Sequence, residues 1–209
     1  MGFLESLKID FELFQSNIDE YKRRVDSISD LFSLKFNDRL MSDQSPSGFS
    51  GNYDTSNSIV LFSLNPGYSA KFNPDEQRLQ NRDWEQYCNA RKSLYLFFKK
   101  LNHPSPYYRS WWILFQGLLN EKSYNYDTQW DYFNKNLVNL NLIPYHSKGL
   151  QLPTLFDEEQ NCYLMQNFDS LLDFIVPYNP KLLIFNGNPW FVLLKRNSLL
   201  NEATKIKVT

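Results

Sequence analysis

Asparagine carries most of the chemistry this chain offers. Three apolar runs each end on amide-bearing, loop-forming residues: Ser63-Leu-Asn-Pro-Gly67, Asn141-Leu-Ile-Pro-Tyr-His146 and Ile184-Phe-Asn-Gly-Asn-Pro189. An Asn side chain presents an acceptor and a two-proton donor on one flat group, which matches the edge of a nucleobase or another planar amide. It is a poor general base, so beside a reacting bond it orients water and does not deprotonate it. If the three runs are parallel strands of one sheet, their ends share an edge, the place where open α/β sheets bind ligands. Asn65, Tyr68, Asn141, Tyr145, His146, Asn186 and Asn188 then surround one amide-rich, aromatic cleft with few carboxylates.

The elements that must position these residues follow from periodicity. Ile59-Val-Leu-Phe-Ser-Leu64 reads as a buried strand, about 58 to 64. Pro66 forbids the next ladder hydrogen bond, and Gly67 lets the chain turn sharply or approach a ligand closely. Leu137 to Ile143 is a second strand, Lys181 to Phe185 a third, and Lys205-Ile-Lys-Val-Thr209 the start of a fourth. Residues 3 to 40 are helical in two segments, with Phe11, Phe14, Ile18, Tyr21, Val25 and Ile28 recurring at spacings of three and four. The cluster Tyr21-Lys-Arg-Arg-Val25 falls on their solvated side. Further helices are expected from Trp84 to Leu101 with Asp83 as cap, from Tyr108 to Leu119, from Cys162 to Val176, and from Asn188-Pro189 to Leu200. Residues 41 to 57, rich in Ser, Gly, Asp and Asn, read as a mobile loop. Strands alternating with helices predict a three-layer α/β/α fold with a central parallel sheet. The 209 residues are expected to form a single domain, with residues 1–42 as a helical N-terminal addition and 58–209 as the core.

Composition narrows the function classes. Aromatic residues make up 17% of the chain, which excludes disorder for most of it. Net charge is -1, yet it is unevenly spread. Lys71 to Arg109 holds eight basic and four acidic residues, Ser110 to Pro180 is acidic, and the segment after Lys181 is basic again. The two cysteines, Cys88 and Cys162, have no Cys-x-x-Cys or Cys/His neighbourhood, so neither a metal site nor a disulfide framework is expected. No run approaches the roughly 20 apolar residues of a membrane span, and no secretory leader opens the chain. A cytoplasmic protein without membrane partners is the expectation. The glycine loops of nucleotide triphosphatases and dinucleotide enzymes and the nucleophile elbow of α/β-hydrolases have no counterpart.

The three strand-end motifs, in this order, resemble the uracil-DNA glycosylase superfamily. The likeness covers residues 58 to 195 and is strongest to its mismatch-specific uracil/thymine branch, whose first motif is Gly-x-Asn-Pro-Gly. The chain has Ser63-Leu-Asn-Pro-Gly67 at that place. Val138-Asn-Leu-Asn-Leu-Ile143 resembles the strand whose Asn reads a flipped base, and Tyr178-Asn-Pro-Lys-Leu-Leu-Ile-Phe-Asn-Gly187 resembles the superfamily's third strand. The resemblance implies hydrolysis of an N-glycosidic bond in DNA without a cofactor. It assigns Asn65 to the water and Asn141 to the base, with Tyr68 or Phe72 stacking and Gly67 and Asn186 lining the pocket. His146 is added as a catalytic candidate from its strand-end position, and Lys148 beside it could touch a phosphate. The partner implied is DNA or another nucleobase-containing ligand.

The chain departs from the superfamily at its last motif, His-Pro-Ser-Pro-Leu-Ser or Asn-Pro-Ser-Gly-Leu-Ser, which belongs after the fourth strand, where Thr209 ends this sequence. A C-terminal truncation is one expectation from this. His103-Pro-Ser-Pro106 copies the letters between the wrong strands, where a helix-ending turn explains them. Two functions are therefore expected to compete: a base-excising glycosylase, and a module that keeps the fold without the reaction and binds a nucleic acid, a nucleotide or a protein.

Overall fold

Two amphipathic helices open the chain because Asn17 stops one and caps the next. Helix α1 spans Phe3–Ser16 and α2 spans Ile18–Leu31. The Asn17 side-chain oxygen accepts from the Glu20 N–H at 3.3 Å, and its amide donates to the Glu20 carboxylate at 2.9 Å. That reciprocal pair satisfies one of the orphan donors at a helix start. Phe11, Tyr21, Val25 and Ile28 are buried as their spacing predicts and Leu7 joins them, whereas Phe14 is half-buried and Ile18, at the start of α2, is exposed. The computed structural model describes residues 1–55, 58–67, 83–92, 111, 135–187 and 189–196.

The described sheet has four strands: β1 Phe49–Ser50, β2 Ile59–Ser63, β3 Leu137–Asn141 and β4 Leu182–Phe185, in the spatial order β1-β3-β2-β4. Strand β2 pairs in parallel with β3, Ser63 opposite Asn141, and in parallel with β4, Phe62 opposite Phe185. The C-terminal ends of β2, β3 and β4 therefore share one edge. The sheet as a whole is mixed, since β1 runs antiparallel to β3 with Phe49 opposite Leu140. This corrects the expectation of an all-parallel sheet. The fourth strand expected at 205–209 lies outside the described residues.

Both central strands are buried along their length; β2 accordingly reads as an apolar run, whereas β3 buries Asn139 and Asn141 among its apolar residues. Val60, Phe62, Val138, Leu140 and Phe49 share a core with Leu164, Phe168, Leu171 and Ile175 of helix α4, Glu158–Ile175. Phe62 stacks on Phe185 at 4.7 Å, and Trp190 of helix α5, Pro189–Arg196, meets Phe62 edge-on at 5.6 Å. Helix α4 starts at Glu158, earlier than its apolar spacing predicts, because Asp157 and Gln160 form a capping box. Helix α3, Trp84–Lys92, is capped by Asp83 as expected, its carboxylate accepting from the Gln86 N–H at 2.8 Å. The remainder of the helix predicted to Leu101, and the one at 108–119 apart from helical Trp111, fall outside the described residues.

Residues 41–57 are the main departure from the sequence reading. Residues 44–50 are buried, with their polar backbone groups paired to side chains of the core. The Tyr21 hydroxyl donates to the Gln44 carbonyl at 2.8 Å, and the Tyr87 hydroxyl donates to the Pro46 carbonyl. The Ser47 N–H donates to the Pro144 carbonyl at 2.6 Å. Gly51, at φ +102°, brings the chain so close to β3 that a Cβ there would lie 2.2 Å from the Leu137 carbonyl oxygen. A segment with loop composition is thus built into the sheet's edge. No described helix is long and apolar enough to cross a membrane.

Candidate functional site

The parallel register continues past the strands and draws two loops together. The Leu142 N–H donates to the Ser63 carbonyl and the Ile143 N–H to the Leu64 carbonyl, each at 2.9 Å. A further parallel bridge joins Gly67 to Ser147. Asn65 is the centre of this junction. Its amide nitrogen donates to the Ser147 Oγ at 2.9 Å, the Tyr145 carbonyl at 3.1 Å and the Pro66 carbonyl at 3.2 Å. Carbonyls only accept, so two of them fix which way the amide faces. Its Oδ1 accepts no hydrogen bond among the described residues, and Asn65 is half-buried. A half-buried acceptor held rigid by its own amide can orient a water or a ligand N–H.

His146 lies against the same turn. Its Nδ1 is 3.2 Å from the Gly67 carbonyl, a contact that requires the proton on Nδ1 and makes Nε2 of the neutral ring an acceptor. The ring is buried, and the His146 carbonyl is tied to the Met41 N–H at 2.7 Å. Gly67 is exposed and does not take a left-handed φ, and among the described residues no atom beyond its chain neighbours lies within 4 Å of where its Cβ would stand. The turn itself therefore does not require glycine, contrary to the reading of a sharp glycine bend. What glycine leaves is an open approach to the backbone beside Asn65 and His146. Asn186, at the end of β4, donates its N–H to the Phe62 carbonyl at 3.0 Å and accepts from the Trp190 indole at 3.0 Å through its own carbonyl. Its side chain is half-buried at the same sheet edge.

Asn141 is adjacent in register but engaged elsewhere. Its amide nitrogen donates to the Ser47 carbonyl at 2.7 Å, and its Oδ1 lies 3.4 Å from the Asn139 amide nitrogen. Asn139 in turn accepts from the Ser63 hydroxyl at 2.6 Å. A buried line of donors thus runs from Ser63 through Asn139 and Asn141 to the backbone of the 44–48 segment. Asn141 holds that segment down, and its amide is occupied on both sides. Tyr145 also turns away from the edge: its phenol donates to the Asp10 carboxylate at 2.6 Å in the core. Burial, with the Asp10 charge beside it, pushes that phenol well above the usual tyrosine range.

The structure brings Asn65, Gly67 and His146 together and sets Asn186 on the same edge. Tyr68, Phe72, Asn188 and His103 lie outside the described residues. Lys148 is exposed beside the loop. Ser147 and Asn139 take part without having been singled out. Asn139 had a signal in the sequence, since two amides at i and i+2 of an apolar strand must share one face. Cys88 is no activated nucleophile, because burial pushes its thiol up to about 11. Among the described residues, no group of three or more His, Cys, Asp or Glu side chains is placed to hold a metal ion. No family model, curated protein or solved structure matches the chain.

Proposed function

We propose that the edge formed by Asn65, Gly67, His146 and Asn186 is a nucleobase site of a uracil-DNA-glycosylase-like protein, and that the reaction is hydrolysis of an N-glycosidic bond in DNA. The observation that carries this is the Asn65 amide, anchored through its nitrogen so that Oδ1 remains as an oriented acceptor. Such a group holds a water in place, and the leaving base and DNA phosphates must then offset the developing positive charge on the sugar. Among the described residues, Gly67 leaves room for a flat group to approach. A three-layer α/β/α arrangement around the parallel strands belongs to the same reading.

The occupied amide of Asn141 favours a second reading, in which the edge binds a base-like ligand and does not cut. One experiment separates them. The protein is incubated with single-stranded DNA carrying uracil, and both uracil release and binding are measured for wild type and Asn65→Ala. The enzyme reading expects release that falls about 10²-fold in the variant. Binding without release supports the module. Neither release nor uracil-dependent binding overturns both.

A further inference from the structure

We infer that Asn186, at the end of β4, is the residue that reads the base at this edge, the task that the resemblance gives to Asn141. The inference rests on the base-site reading and goes beyond it by naming the side chain that sets specificity. The other amides at the edge are already committed. Asn141 uses its nitrogen on the Ser47 carbonyl and its oxygen toward Asn139, and Asn139 accepts from the Ser63 hydroxyl. Asn65 has committed its nitrogen and keeps only an acceptor. The half-buried Asn186 side chain makes no hydrogen bond among the described residues, so its donor and its acceptor are both open on one flat group.

The Asn186 backbone, by contrast, is fixed on both sides. Its N–H donates to the Phe62 carbonyl, continuing the ladder between β2 and β4, and its carbonyl accepts from the Trp190 indole, each at 3.0 Å. A rigid anchor under an uncommitted side chain suits recognition, because little freedom remains to be lost on binding. Phe62 and Phe185 are paired in register and lie on the face that Trp190 covers. Successive strand residues alternate faces, so Asn186 falls on the opposite face, the one that Ser63 shares with Asn139. Asn65 follows two residues after Ser63, one strand across from Asn186, and adjacent strands lie about 5 Å apart. Gly187 beside it is exposed at φ +116°, and the one described atom beyond its chain neighbours within 4 Å of its missing Cβ is Pro189 Cδ at 3.7 Å. The backbone next to the amide is thus uncovered among the described residues. An open amide pairs with a base edge that sets an N–H beside a carbonyl, as N3–H and O4 of uracil do. Oδ1 of Asn65 is then left for the water.

The test uses single-stranded DNA with one variable position holding uracil, cytosine or an abasic analogue. The two nucleosides carry a fluorinated sugar, whose electron withdrawal keeps the glycosidic bond intact during the titration. Kd is measured for the full chain, for Asn186→Ala and for Asn186→Asp. The Asn186 side chain holds nothing among the described residues, so both variants should melt at the wild-type temperature. Asn186→Ala should weaken uracil about tenfold relative to the abasic position. A carboxylate accepts from the cytosine amine and repels the uracil carbonyl, so Asn186→Asp should shift the uracil-to-cytosine affinity ratio toward cytosine by about tenfold or more. A side chain with a structural role alone does not move that ratio. Full uracil preference in Asn186→Ala, an unchanged ratio in Asn186→Asp, or variants that fail to fold would each overturn the inference and leave the base site without it. A wild type that binds uracil no better than the abasic position would overturn the base-site reading and the inference with it.

Discussion

At the scale of single residues, position in a strand did not determine the role of an amide. Asn141 ends β3 and Asn65 stands two residues past the end of β2, and both looked like ligand contacts from their place at the sheet's edge. Their partners differ. Asn65 is anchored by a nitrogen that leaves an acceptor over, while Asn141 uses its nitrogen on the Ser47 carbonyl and its oxygen toward Asn139. Replacing Asn141 with Asp removes a donor and sets a charge against a carbonyl in a buried site. The expected cost is about 3 kcal/mol or more of folding stability, read from the denaturant midpoint. Affinity for uracil-DNA, where it exists, should then change only as far as the folded fraction does. A variant of wild-type stability with selectively lost affinity would restore Asn141 to the base-reading role. Sequence could not separate the two asparagines, because the partner of Asn141 belongs to a segment nearly a hundred residues earlier in the chain, at Ser47.

At the scale of elements, what was legible is what local period determines. Strands β2, β3 and β4 and helix α4 fall where their apolar spacing puts them, with boundaries shifted by capping residues such as Asp157, whereas the N-terminal helical stretch expected to residue 40 stops at Leu31. The 41–57 segment was not legible, because composition reports the backbone's freedom and not its partners. Ser, Gly, Asp and Asn permit a mobile loop, but Tyr21, Tyr87 and Asn141 supply the donors that let residues 44–50 be buried. Two glycines make the distinction measurable. Gly51 combines φ +102° with a carbonyl 2.2 Å from its missing Cβ, so Gly51→Ala should cost about 3 kcal/mol. Gly67 has ordinary φ and open space, so Gly67→Ala should change stability by less than about 0.5 kcal/mol. Urea midpoints of the two variants check both numbers. Equal losses would mean that the turn at Gly67 is as constrained as the sheet edge at Gly51.

At the scale of the molecule, Tyr145 joins the N-terminal helices to the candidate site. Its carbonyl accepts from Asn65, and its phenol donates to Asp10, which also pairs with Arg24 of α2. Arg24 was expected on a solvated face and is instead half-buried against that carboxylate. The periodicity of α2 placed its backbone correctly, but a long side chain reaches around a helix toward a charge that periodicity does not see. This cluster makes stability depend on pH with a definite sign. Burial raises the Asp10 carboxyl above its ordinary 3.8, against the opposing pull of the Tyr145 hydrogen bond and Arg24. In the unfolded chain the group titrates near 3.8, so from there up to its raised folded value the folded state holds more proton than the unfolded one. Stability contributed by Asp10 is therefore full below 3.8, falls as pH rises through that window, and is flat above it. Asp10→Asn has no such titration. Unfolding free energy measured across that window should decline more steeply with pH in wild type than in the variant, the other carboxylates being common to both. A wild type that instead gains stability relative to Asp10→Asn as pH rises would mean that Arg24 and Tyr145 outweigh burial. The carboxylate would then be satisfied within the chain.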